Sequence, residues 1–570
     1  MDTMVKADLI ITNGKVLTVN KNFDIAEAVA VKDGRIVAVG DNPGVKALAG
    51  PGTQVIDLAG ATMLPGINDA HMHAPFFGAT RPPLALDLTF PAIKSIGDIV
   101  EAVRRKAAEV KPGEWIRGFG WNQGSLKECL EDPAVLPRRS GIDPVSPNNP
   151  VILTDFSGHT VLANQKALEL AGLHRDSPNP ISGEMERDPQ GELTGIFKEL
   201  GAQALITSHV PILTREEKKI ALLNAISILN SHGVTSFTDA AIGPGGESYA
   251  SGVMSAEFVD IYRELLAKGQ LTARATILLL LGNYGALTYE DLEAGLRTFK
   301  VPTGLDREWL QFPGVKIFAD GIPLTYTSWM NEDYVSGNYG HGAPVIPGQN
   351  DQEQHDNLVA MIGLVHNHGF QVAVHATGDQ AIDAAVDGFV LAMKNKPGGD
   401  PRHYLIHGDF ISAETCRRLS AINGGVAMQP TIEAMISDFE PSVVGEQRAA
   451  YEWPMRTALD NGVNLTSSSD APITVPNWLL GVENAVLRES LTSGAVSGPE
   501  EAITVKEAIR TYTINGAYQD HLETVKGSIE VGKVADFCII DNDILTVDPH
   551  LIRNIKVLKT IVNGKIVYEG

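Results

Sequence analysis

The chain has 570 residues, of which 46 are basic and 69 acidic, for a formal net charge of −23. Such a balance lacks the basic footprint that binding to a nucleic-acid backbone requires. No apolar run approaches the ~18 residues of a membrane span. At ~100–200 residues per domain the length calls for more than one structural unit, and a 44% hydrophobic content can fill large cores.

Three cysteines, Cys129, Cys416 and Cys538, are scattered without metal or disulfide spacing. The opening residues lack a charged-then-apolar signal pattern. Both features predict a reducing, cytoplasmic setting. Arg104-Arg105-Lys106 is the most basic run and reads as a solvated helix face.

The first 65 residues read as short strands and turns. Residues 8–19 carry an Asn13-Gly14 turn and residues 28–39 an Asp33-Gly34 turn, each predicting a hairpin. The far end repeats this grammar over 526–541 and 557–570, with Asn563-Gly564 as another turn. Neither end can fill a core alone, so residues 1–64 and 520–570 are expected to pair into one small β-sandwich.

Between them, residues 65–519 carry eight strand candidates: 61–65 leading to His71, then 234–241, 273–281, 315–320, 371–375, 404–407, 426–430 and 463–468. Helical spacing of apolar residues separates most of them, over 216–231, 358–368, 381–393, 413–419 and 448–459. Strand–helix alternation implies parallel strands with right-handed crossovers. The expected fold class is therefore α/β, a (β/α)8 TIM-like barrel with the small β-sandwich from both termini. The first two strands lie too far apart for an ordinary loop. Residues 75–212 are read as a subdomain inserted after strand one, expected as a lid or pocket wall. It holds strand-like stretches at 115–119 and 151–154, a helix at 164–171 and a Gly-rich stretch over 182–195.

The chemistry gathers at the C-terminal ends of these strands. His71 and His73 lie one residue apart after a Pro-Gly pair, and residues i and i+2 of a strand face the same side. His375 and His407 each end an apolar strand, and Asp470 ends the eighth. Imidazole and carboxylate suit Zn2+ or a similar ion. Such an ion lowers the pKa of water to ~7 and polarises a carbonyl. Asp470 could also move protons, or merely cap the next helix. Lys316, in Val315-Lys-Ile-Phe-Ala-Asp-Gly321, cannot ligate as an ammonium. Carboxylation by CO2 would turn it into a carboxylate bridge between two metals, whereas the alternative is a lysine paired with Asp320 or Glu332. His159 and Arg187, in the insertion, and Tyr334 and His341, in the loop after strand four, are candidate substrate contacts; lid or turn scaffolding is the alternative. Asp69 could orient a metal histidine or only fix the turn. His366 and His368 repeat the one-residue spacing at a helix end, where positive charge would complement the dipole.

Several segments together resemble the amidohydrolase superfamily over essentially the whole chain, and within it the long YtcJ-like branch that includes N-substituted formamide deformylase. They are Leu64-Pro-Gly-Ile-Asn-Asp-Ala-His-Met-His73, Gly118-Phe-Gly-Trp-Asn-Gln123, Ser157-Gly-His-Thr160 with Asn164-Gln-Lys-Ala-Leu168, Val315-Lys-Ile-Phe-Ala-Asp-Gly321, Val374-His-Ala-Thr-Gly-Asp379 and Ser469-Asp-Ala-Pro472. The resemblance implies a (β/α)8 barrel, a β-sandwich from both termini and hydrolysis of C–N bonds. Its metal positions map onto His71, His73, Lys316, His375, His407 and Asp470. Two departures stand out: residues 322–327, where relatives often have Ser-Leu-Gly-Ser-Arg, and Ile406, where many have Glu.

The expected function is hydrolysis of a small-molecule amide or formamide by metal-activated hydroxide, with one or two divalent ions, zinc foremost. Asp470, Lys316 and His407 stand closest to the chemistry. One alternative is a mononuclear deaminase on the same barrel. Such enzymes carry a Glu three residues after the strand-five histidine, where this chain has Gly378. The other is a non-catalytic, small-molecule-binding regulatory protein. No nucleic-acid or membrane partner is expected, and a homodimer is the default oligomer.

Overall fold

A computed structural model describes residues 6–90, 92–132, 135–180, 183–247, 249–282, 287–335 and 338–570. Ser182, the start of the Gly-rich stretch, lies outside them. The chain divides into two compact units, one of residues 1–73, 226–246 and 255–570 and the other of residues 74–225 and 247–254.

The first unit holds an eight-stranded parallel sheet: β1 (Ile67–Met72), β2 (Val234–Ile242), β3 (Arg274–Leu279), β4 (Leu310–Phe318), β5 (Gln371–Ala376), β6 (Tyr404–His407), β7 (Gly425–Met428) and β8 (Asn464–Ser467). Every ladder from β1 to β8 is parallel. The ring closes between β8 and β1 through two backbone hydrogen bonds, Asp470 N–H to His71 O at 2.9 Å and His73 N–H to Ala471 O at 2.8 Å. The interior packs Ala240, Leu278, Ala373, Tyr404, Ile406 and Ala427, mostly small or flat side chains that fit a tight cylinder.

The floor of the barrel is plugged by the end of the helix Ile514–Gln519. Gln519 donates to Ala70 O of β1, and Gln371 of β5 donates to Gln519 O. Asp520 accepts from Asn68 of β1, Thr238 of β2 and the Lys526 ammonium, the last at 2.6 Å. Each of these buried residues thereby gains a partner, with Asn68 Oδ1 left unbonded among the described residues.

Two sheets flank a common apolar core in the same unit. One orders Arg35–Gly40, Ala28–Lys32, Leu9–Thr12 and Gln54–Asp57; the other orders Lys565–Glu569, Val557–Val562, Phe537–Ile540, Thr62–Pro65, Lys15–Leu17 and Ile25–Ala26. Leu9, Ile11, Val29 and Val31 from the N-terminal segment share that core with Phe537, Ile539 and Ile561 from the C-terminal one. The Asp33-Gly34 and Asn563-Gly564 turns have positive φ at both residues, the geometry that joins twisted antiparallel strands tightly.

Three readings need correction. Residues 8–19 form no hairpin, because Leu9–Thr12 and Lys15–Leu17 lie in different sheets and Asn13-Gly14 carries the chain between them. Residues 61–65 are not the first barrel strand, since Thr62–Pro65 pairs with Phe537–Ile540 in the small sheet. The chain crosses to β1 at Gly66, where a Cβ would meet the Thr235 side chain at 2.0 Å. The 448–459 helix is two, Glu446–Tyr451 and Met455–Asp460, broken at Trp453-Pro454.

The second unit is built on a six-stranded mixed sheet ordered Glu184–Arg187, Leu193–Lys198, Thr160–Ala163, Val151–Asp155, Ile116–Trp121 and Leu86–Asp87. The helix Ile96–Glu109, capped by Ser95, buries Ile99 and Val103 in one of its two cores.

Candidate metal centre

His71 is the penultimate residue of β1 and His73 follows the strand, so both stand at the C-terminal face of the barrel. Asp470 follows β8 across the seam. Its Oδ1 lies 3.2 Å from His71 Nε2 and 3.6 Å from His73 Nε2. One ligand atom from each of the three falls within 4.8 Å of the others. His375 and His407 complete the ring wall, with ring centroids 4.5 Å apart and His407 5.6 Å from His71.

His407 reaches this position through its backbone. Tyr404 and Ile406 fill the barrel interior, so a regular strand would point His407 outward. Its φ of +76° turns it instead. Asp470 is also left-handed, at φ +51°. Two non-glycine residues in this region mark strain held at one place.

The histidines are buried and neutral. Burial drops His73 to about 3 and His375 to about 4, and pushes His71 and His407 well below the ordinary histidine range. His73 Nδ1 donates to Ala240 O at 2.8 Å, leaving its Nε2 lone pair toward Asp470. His375 Nε2 donates to Gly321 O at 2.9 Å. Among the described residues neither ring nitrogen of His71 has a hydrogen-bond partner, although the ring is fully buried. A buried imidazole with both nitrogens unbonded, facing a carboxylate and a second imidazole, fits a metal ion.

Lys316, on β4, is 1% exposed with its Nζ 4.7 Å from the Phe318 ring centre. Burial lowers its ammonium to about 7, with Asp470 pulling the other way. It does not pair with Asp320. That carboxylate accepts from Trp329 N, Thr377 N, Gly378 N and Thr377 Oγ1, and it stitches the loop after β4 to the one after β5. Asp69 does the same at the seam, accepting from Ser469 N at 3.1 Å and Ser469 Oγ at 2.5 Å.

The other candidates have mainly local partners. Tyr334 is buried, donates to Ser328 O at 2.9 Å and packs with Met330, Phe410 and Val443. His341 faces Asp351 at 3.1 Å. In the second unit, His159 Nδ1 lies 3.0 Å from Glu199, and Arg187 donates to Ser177 O, Met185 O and Asn179 Oδ1. Sequence reasoning missed Gln429, whose Oε1 lies 2.8 Å from His407 Nδ1. It also missed a buried acidic group behind the wall, Asp409, Glu440 and Glu452, each with a carboxylate oxygen lacking a hydrogen-bond partner among the described residues.

A family model described as "Amidohydrolase family" matches residues 54–568. N-substituted formamide deformylase of Arthrobacter pascens is 30% identical over 569 residues, covering 99% of this chain and 98% of that protein. YtcJ of Bacillus subtilis (strain 168), assigned by name to the amidohydrolases, is 31% identical over 98% of each chain. Among solved structures, an uncharacterised metal-dependent hydrolase from Pyrococcus furiosus has a TM-score of 0.70 at 25% identity, covering 94% of this chain and 100% of that one. Its counterpart from Pyrococcus horikoshii OT3 has a TM-score of 0.71 at 24% identity over 95% and 99%. No helix among the described residues is long and apolar enough to cross a membrane.

Proposed function

The chain belongs to the amidohydrolase family, and from that premise we propose that it is a metal-dependent hydrolase cleaving the C–N bond of a small amide of the N-substituted formamide type. The observation that carries this reading is the convergence of His71, His73 and Asp470 within 4.8 Å at the C-terminal face of the barrel. His71, His73, His375, His407 and Asp470 would hold one or two divalent ions, zinc foremost. A bound ion lowers the pKa of water and polarises a carbonyl oxygen.

The chain's own groups do the rest. The Asp470 carboxylate is the acceptor for the proton of the attacking water. It returns that proton to the departing amine, so hydrolysis leaves carboxylate and amine. The neutral imidazoles of His71, His73 and His407 keep their lone pairs at neutral pH. Lys316, whose amine burial holds partly uncharged near pH 7, is the group that CO2 converts to a carbamate: a new N–C bond forms and one proton leaves.

One observation weighs against the deaminase alternative. A Cβ at Gly378 would lie 2.1 Å from Trp329 O, so no glutamate fits where such enzymes carry their proton shuttle.

The test is elemental analysis of protein purified without chelator or nickel resin, paired with a panel of N-substituted formamides. About two equivalents of metal and turnover of a formamide are expected. About one equivalent would remove the bridging role of Lys316. A chain that takes up no metal and turns over nothing would bring forward the binding-protein alternative.

A further inference from the structure

We propose that Gln429 is a positioning residue that locks His407 in the tautomer whose Nε2 lone pair is free, and so sets the geometry of the metal centre. The argument starts from which atom of the amide is which. Gln429 follows β7 and is fully buried. One end of its amide lies 2.8 Å from Ala427 O and 2.9 Å from Ser468 Oγ. A carbonyl oxygen can only accept, so that end is the NH2 group. The other end, 2.8 Å from His407 Nδ1, is then the amide oxygen, which also can only accept. Nδ1 must carry the proton. On a neutral ring the lone pair then sits on Nε2.

The three contacts link neighbouring strands. Ser468 follows β8, Gln429 and Ala427 belong to β7 and its exit, and His407 ends β6. Gln429 therefore couples the turned backbone of His407, at φ +76°, to the side of the barrel that carries Asp470. A strained residue keeps its conformation only where its surroundings over-determine it, and this hydrogen bond restrains the ring at its far nitrogen.

The part concerning the metal rests on His407 being a ligand; the tautomer itself does not. Two measurements keep these apart. The first is the 15N chemical shifts of His407 in histidine-labelled, metal-free, full-length protein. Wild type should show a protonated Nδ1 and an unprotonated Nε2, and Gln429→Leu should show both tautomers. An unprotonated Nδ1 in wild type, or an unchanged pattern in Gln429→Leu, overturns the proposal. The second is zinc affinity by competition with a chromophoric chelator. Gln429→Leu should bind about 10–100-fold more weakly. Gln429→Glu retains an acceptor for Nδ1 and, as the buried protonated acid, a donor for Ala427 O, so it should lose much less affinity than Gln429→Leu. Equal losses in both variants, with matching melting temperatures, would reduce Gln429 to a packing role and overturn the proposal. A wild type with the locked tautomer that takes up no zinc would sustain the positioning role while removing the hydrolase reading.

Discussion

The two ends of the barrel treat buried polar groups in opposite ways. At the floor, Asp520 gathers Asn68, Thr238 and Lys526, and Gln519 ties β1 to β5. At the mouth, within a few residues of the strand ends, His71 has two unbonded ring nitrogens. Asp409, Glu440 and Glu452 have unbonded carboxylate oxygens among the described residues, and His407 and Asp470 have left-handed backbones. An unpaired buried polar group costs ~1–3 kcal/mol. The floor keeps that cost to Asn68 Oδ1 among the groups named, and the mouth accumulates more of it. The same cylinder thus differs along its axis: the floor pairs side chains across strands, whereas the mouth, beside the Asp69 and Asp320 stitches, leaves His71 and three carboxylates with unbonded atoms among the described residues.

That contrast can be broken deliberately. The largest effect is expected from Asp470→Asn, which removes the proposed proton acceptor but keeps the shape. The value of kcat for the best formamide should fall by about 10²–10⁴-fold, while the melting temperature holds or rises. A fall in both would show that the mouth also carries stability. Asp520→Ala attacks the floor and leaves the Lys526 ammonium buried without its partner. A loss of about 3–5 kcal/mol of stability is expected, read as a drop in melting temperature, with kcat of the surviving folded enzyme unchanged. A matching fall in kcat would mean the two ends are coupled.

The smallest effect concerns pH. Glu440 is fully buried, and burial pushes its carboxyl above the ordinary value of 4.5. The folded chain keeps a proton that the unfolded chain releases. The contribution of Glu440 is therefore full below pH 4.5 and fades as pH rises through the folded value. Glu440→Gln has no proton to release. It should match wild type in acid and exceed it increasingly toward alkaline pH, as thermal melts across a pH series would show. A constant offset at every pH would mean that Glu440 is ionised in the folded protein.

Much of the mouth was legible in the letters because the candidate ligand residues lie at or just past strand ends. His375 and His407 each close an apolar run that also defines a barrel strand, so one pattern carried both the fold and the candidate site, whereas the run read toward His71 belongs to the small sheet. What escaped depends on partners far along the chain. The Asn13-Gly14 turn carries the local signal of a hairpin, yet the partners of its flanking strands lie in two different sheets. Thr62–Pro65 and Ile67–Met72 form one apolar run in sequence, split only by the close approach of Thr235 to Gly66. Gln429 falls inside the strand candidate 426–430, and nothing local reveals the histidine it holds. His366, read as a charge complementing a helix end, is buried. Its Nδ1 lies 2.9 Å from Nε2 of His403, which burial takes down to about 3. An imidazole–imidazole contact stands where a solvated helix-end charge is expected, and its second member lies 37 residues away.

The seam between β8 and β1 has a consequence for the order of events during synthesis. Asp69 and Ser469 are 400 residues apart, and the hydrogen bonds that close the ring flank His71 and Asp470. Closing so long a loop is slow, because its entropy is lost before the contacts form. A nascent chain therefore exposes His71 and His73 long before their carboxylate partner exists. The His71–His73–Asp470 cluster is complete only when the last strand arrives, so a prematurely terminated or half-translated chain has the two histidines without the carboxylate.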